Sequence, residues 1–178
     1  MNEQEKILNA IEKLKKAKYC FGICSDTNIN DNHVLFFDFD GKYTIDNVID
    51  SLKLIQKVYN LSTVYILESL NGFNAFCLDI LPMKDVTIIL LDTPKIDPLF
   101  VDLGYKKNNR YILRMDLDKK LITTISRKNN VVLSNAHHWF FKNIMNFNIE
   151  DNHIYNDSFT FRVVAYKSVK HGYCELYD

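Results

Sequence analysis

Glycine and proline are scarce in this 178-residue chain, with five and three copies, and no stretch gathers them into a linker. Internal repeats and low-complexity tracts are lacking too. Those absences argue against a multi-domain array, and the length suits one domain over 1–178 that buries its core without staples. Cysteine is sparse: Cys20, Cys24, Cys77 and Cys174 form no CxxC pair, so free thiols in a reducing cytoplasm are expected rather than a disulfide framework. His171-x-x-Cys174 has no complementary pair for a zinc site. Formal net charge is zero, which removes bulk attraction to nucleic acid or membrane and leaves only local grooves. No apolar run approaches the ~18 residues that span a bilayer, so no membrane partner is expected. The opening residues read as a polar helix, not a signal peptide.

What is present is an ordinary globular composition with many aromatics, organised around residues 33–41, HVLFFDFDG. This apolar, β-forming run ends in two acids one residue apart. Side chains alternate along a strand, so Asp38 and Asp40 share one face, about 7 Å apart, with Phe37 and Phe39 on the other. Acids suit strands poorly, and two on one face repel unless something positive stands against them. Such a pair can share hard divalent cations.

Along the chain, residues 3–17 predict an amphipathic helix with Ile7, Leu8, Ile11 and Leu14 inward. A strand follows at 19–24, a polar loop at 25–32, and the acid-bearing strand at 34–40. Thr44 or Asp46 caps a helix to about Tyr59, with Val48, Ile49, Leu52, Ile55 and Val58 inward. Strands at 62–68 and 73–80 flank a Leu70-Asn71-Gly72 hairpin turn. Pro82 opens a helix to about Leu91, and a short helix covers 97–103. Residues 110–118 form a strand with Arg114, Asp116 and Asp118 on one face. Lys119-Lys120 then turns into a strand at 121–127, making a hairpin of 111–127. Val131–Leu133 extends the sheet, a helix runs over 135–146, and a strand over 159–166 closes the order. The fold class is α+β, with helices on one face of a mostly antiparallel sheet.

Three features thus stand on separate strands: Asp38/Asp40, the Ser69-to-Asn74 hairpin, and Arg114 with Asp116 or Asp118. An acid pair with a third acid on a neighbouring strand suits two Mg²⁺ ions clamping the attacking and leaving oxygens of a phosphoryl transfer. Arg114 beside them would neutralise triphosphate charge.

In this order the motifs resemble those of the archaeo-eukaryotic primase superfamily, the primase-polymerases. Leu35-Phe-Phe-Asp38-Phe-Asp40 is similar to the family's hhhDhD strand, Ser69-Leu-Asn-Gly72-Phe-Asn74 to its hairpin motif, and Arg114-Met-Asp116 to its hydrophobic–Asp strand. The resemblance covers the core-like region 34–118, flanked by 1–33 and 119–178. It implies an RRM-like sheet and nucleotidyl transfer from NTP or dNTP with Mg²⁺ or Mn²⁺ on Asp38, Asp40 and Asp116. Nucleotide contacts would come from Ser69, Gly72, Asn74 and Arg114. The implied partners are a single-stranded DNA or RNA template, nucleotides, and a replicative helicase or other replication protein. Asn74 departs from the family, standing where its hairpin histidine would be; an amide donates a hydrogen bond without carrying charge.

Three rivals stay open at this point. A nucleic-acid-binding replication protein on the same fold would have lost catalysis and would stack bases on Tyr43, Phe73, Tyr105 or Tyr111. A haloacid-dehalogenase-like phosphatase would use Asp38 as nucleophile, Asp40 as acid/base, and Thr44 and Thr93 nearby, but needs a parallel sheet. His137-His138 with Tyr166 has the flavour of a rolling-circle initiator, although adjacent histidines do not converge on one metal; one of the two would instead face a nucleic-acid backbone. Lys42, Arg110, Arg127 and Lys128 are the positive charges nearest to guide a template.

Overall fold

The computed structural model describes residues 2–17, 19–27, 30–106, 110–115, 119–127, 132–150, 154–156, 160–168 and 174–176. In chain order these form α1 (Glu3–Lys16), β1 (Cys20–Cys24), β2 (Asn32–Asp40), α2 (Ile45–Val58), β3 (Val64–Ser69), β4 (Gly72–Pro82), α3 (Met83–Asp92), α4 (Pro98–Lys106), β5 (Ile112–Arg114), β6 (Lys120–Ile125), β7 (Val132–Ser134), α5 (Asn135–Asn143), β8 (Ile154–Asn156), β9 (Val163–Ser168) and β10 (Cys174–Leu176). The class is α+β with five helices among the described residues and open, mostly antiparallel sheets.

Local chemistry accounts for the helix starts. At α1, the Asn2 side chain accepts from the Glu5 N–H at 2.8 Å while the Glu5 carboxylate accepts from the Asn2 N–H at 2.9 Å. That reciprocal capping satisfies two donors the helix would leave orphaned. Thr44 caps α2, and Ser134 caps α5. Val48, Leu52 and Ile55 of α2 are buried as the spacing predicts. Val58 and Leu8, both expected inward, are exposed instead, at 62% and 42%, on the flank of their helices' apolar stripes.

The larger sheet runs β6-β3-β4, with β2 also against β4; along β4, Asp79 meets Leu133 of β7, and β8 continues parallel to β7. The smaller sheet runs β10-β9-β1-β5, all antiparallel. The Val34 N–H donating to the Ser25 carbonyl at 2.9 Å and an Asp26↔His33 bridge join the two sheets. On the larger sheet, against α5, lies an aromatic stack in which the Phe76 and Phe141 rings are 3.8 Å apart and Tyr65 stacks on Phe76 at 4.8 Å.

Two expectations need correction. The hairpin over 111–127 does not form: β5 pairs with β1 (Gly22↔Arg114), whereas β6 lies against β3 (Tyr65↔Thr124). Alternation marks both segments as strands, but strand partners are chosen by which apolar faces meet in three dimensions. The single expected sheet is also divided in two, and β8 and β10 were not anticipated; each is only three residues long.

Candidate functional site

β2 is buried on both faces as far as Phe37, and then its acid-bearing face opens. Phe37 and Phe39 are buried in the core, whereas Asp38 is half-buried and Asp40 exposed. The neighbouring hairpin sets what faces them. In the β2/β4 ladder Asp38 stands opposite Asn74 and Asp40 opposite Gly72, and in the β3/β4 ladder Ser69 also pairs with Gly72. The Ser69 hydroxyl donates to the Gly72 carbonyl at 3.0 Å, closing the turn. Gly72 has φ 152°, and a Cβ there would strike the Phe39 carbonyl oxygen; one at Gly41 would come within 2.7 Å of the Asn71 carbonyl oxygen. The two glycines therefore let the hairpin tip lie directly against the end of β2.

Beyond this wall is a cleft of about 740 Å³. Asp38, Asp40, Ser69, Asn71 and Asn74 line one side, and Cys20, Arg114 and Lys119 contribute from the smaller sheet and the approach to β6. Of the residues read from sequence, Asp38, Asp40, Ser69, Asn74 and Arg114 meet here, with Gly72 behind them. Asp116 and Asp118 lie outside the described residues.

The polar contacts form a chain. The Asn74 amide nitrogen donates to Asp38 Oδ1 at 2.5 Å, and the Lys119 ammonium donates to Asn74 Oδ1. Asn74 is buried, so both ends of its amide are satisfied by charged partners. Burial pushes the Asp38 carboxyl above its ordinary range; the Lys119 charge and the Asn74 amide oppose the rise, and Asp97 and Asp40 add to it. The Asp38 carbonyl accepts from the Asp97 N–H at 2.8 Å, which ties β2 to the start of α4. Lys42 lies 3.1 Å from Asp40 on the surface. Arg114 is exposed and donates to Cys20 Sγ at 3.0 Å. The positive charges that make the acid pair tolerable are thus lysines of the chain itself.

Comparison with family models, curated proteins and solved structures returns no match.

The carboxylates of Asp38 and Asp40, hard donors on one wall of an open cleft, fit a divalent cation. Among the described residues no group of three or more His, Cys, Asp or Glu side chains is assembled. Lys119 is the site residue that sequence reasoning missed. Its signal is the Lys119-Lys120 pair directly after an acid-bearing stretch, a pair whose local chemistry reads equally as a turn.

The other candidates lie elsewhere. His137 is fully buried: Nδ1 is 2.7 Å from the Ser134 hydroxyl and Nε2 is 2.8 Å from the Cys24 carbonyl, so it reaches no nucleic acid. Burial holds its pKa down at about 4. His33 is likewise buried, 2.9 Å from the Ser25 hydroxyl, and its pKa is lowered mainly by burial. Tyr111 is buried and cannot stack a base, whereas Tyr105 is exposed. Arg110 approaches Asp26 at 3.6 Å. Arg127 donates to the Gln56 carbonyl at 2.8 Å and to Asn60, away from the cleft. Lys128 lies outside the described residues. β2 and β4 run antiparallel, not as the parallel pair the phosphatase reading requires.

Proposed function

We propose that the cleft is a nucleotide-phosphate site and that the protein is a primase-polymerase-like nucleotidyltransferase on an RRM-like core. The observation that supports this reading is convergence. Asp38/Asp40 on β2, the Ser69–Asn74 hairpin of β3 and β4, and Arg114 on β5 are the three motif segments in chain order, and all line one cleft. Nothing in their sequence spacing requires that.

In this reading Asp38 and Asp40 would hold Mg²⁺ or Mn²⁺, with Asp116 as third acid, supplying charge neutralisation at the transferring phosphoryl group. Arg114 presents a guanidinium suited to phosphate oxygens. Asn74 holds the Asp38 carboxylate by its amide N–H, restricting its rotation. Ser69 and Gly72 keep the hairpin tip against β2, which fixes the width of the cleft on that side.

The test is primer synthesis and extension on single-stranded DNA with Mg²⁺ or Mn²⁺, comparing the intact protein with the Asp38→Ala/Asp40→Ala double variant. Metal-dependent product lost in the variant is expected. Absence of product from the intact protein, with nucleic-acid or nucleotide binding retained, would replace this reading with that of a non-catalytic binding protein in replication.

A further inference from the structure

We infer that Lys119 is a triphosphate-binding residue of the cleft, held in position by Asn74 and charge-coupled through it to Asp38. The inference rests on the nucleotide reading above and adds to it a residue that no motif marks.

The argument starts from Asn74. A buried amide has one donating and one accepting end, and here each has a defined partner. A carboxylate has no proton to give at neutral pH, so it must take the Nδ2 end. That leaves Oδ1 facing outward to accept, and the partner it finds is an ammonium. The orientation of Asn74 is therefore set by the two charges, and Asn74 in turn fixes where the Lys119 ammonium stands. A flexible four-carbon side chain is anchored at its tip by a rigid one, which lowers the entropy lost when that tip engages a ligand.

Position favours a phosphate. Lys119 is half-buried in the cleft wall, and its charge is felt by Asp38, the carboxyl at the cleft's inner end. Arg114 lines the same cleft, so two cations flank the approach to two acids. Carboxylates that hold a divalent cation and cations that meet phosphate oxygens must lie within one ligand's length, and all four side chains line this one cleft. An ammonium has three donors, so the bond to Asn74 Oδ1 does not by itself exhaust what Lys119 can give. The structure makes the neutral Asn74 an anchor for charge rather than a charged contact itself.

The experiment measures binding of inorganic tripolyphosphate and of ATP by calorimetry, with Mg²⁺ and again with EDTA, for the intact protein and for Lys119→Gln, Lys119→Arg and Asn74→Ala. Lys119→Gln should weaken both probes about 10–100-fold, the loss of one charge-assisted contact. Lys119→Arg should stay within about threefold because charge is retained, and Asn74→Ala should fall between the two. Thermal unfolding of each variant separates a folding defect from a binding one, and Lys119→Arg keeps the question answerable if Lys119→Gln is unstable. Equal binding by Lys119→Gln and the intact protein overturns this inference and leaves primer synthesis untouched. Equal loss in Lys119→Arg and Lys119→Gln overturns it as well. Binding that depends on Lys119, in a protein that makes no primer, sinks the synthesis reading and keeps this one. No binding of either probe by the intact protein overturns both.

Discussion

The two ends of β2 carry titratable side chains under opposite regimes. At its start, His33 is sealed against Ser25, with His137 close by and bonded to Ser134 and the Cys24 carbonyl. At its end, Asp38 is buried enough to raise its pKa but faces a cleft with Asn74 and Lys119. Both ends break the rule that polar groups stay outside, and each does so differently. The histidine end completes its hydrogen bonds internally and excludes solvent, which makes it part of the core. The acid end gathers charges of both signs beside a cavity, which is the arrangement of a site. Burial of an ionisable group alone does not mark function; burial that opens on one side does.

The sharpest division between the two ends is pH dependence. His137 binds its proton at about 4 when folded, against 6.5 ordinarily. Between those values the unfolded chain holds more protons, so stability is complete above 6.5 and falls as pH drops toward 4. The loss should reach roughly 3 kcal/mol in urea unfolding between pH 7 and pH 4. His137→Leu should flatten this limb; an unchanged limb would mean that His137 is not what titrates there. The same variant costs stability at pH 7, about 1–3 kcal/mol, because the buried contact between His137 and the Cys24 carbonyl is lost.

At the acid end the sign reverses. The folded Asp38 carboxyl holds its proton above its ordinary 3.8, so its contribution is most favourable below that value and is lost as pH rises through the elevated pKa. Asp38→Asn should therefore stabilise the protein at pH 7, and, on the proposed reading, should abolish the metal-dependent transfer. The gain should vanish at acid pH. A loss of stability at pH 7 would mean that the bond to Asn74 and the Lys119 charge outweigh burial, and the contrast between the two ends would fail.

The smallest effect belongs to Lys42. Its pair with Asp40 is exposed on both sides, at 61% and 50%. Lys42→Ala should leave the unfolding midpoint unchanged at physiological salt. A measurable shift would place Lys42 in the site rather than beside it.

Much of this was legible in residues that act locally. The alternation in HVLFFDFD set the β2 faces, and both acids lie on the open one. Asn71-Gly72 announced the turn between β3 and β4, and Thr44 announced α2. The pairing of 111–115 was not legible, because the same alternation serves any neighbour and β1 supplied the better face. Lys119 was missed for a related reason. A lysine after a strand reads as a turn residue until the folded sheet brings Asn74 of β4 within its reach. Helical phase puts the adjacent His137 and His138 on differing faces without saying which is sealed, and only the packed structure shows that it is His137.

The sequence by itself determined the longer elements, the acid pair and the hairpin that faces it, since those follow from periodicity and turn chemistry within a few residues. Only the tertiary structure decided that β5 leaves β6 to join β1, that the three motif segments line one cleft, and that Asn74 holds Lys119 in its wall. Those facts depend on contacts between residues tens of positions apart, such as the 45 separating Lys119 from Asn74. Contacts at that range are selected by burial and charge pairing in the assembled core, and neither leaves a local mark on the chain.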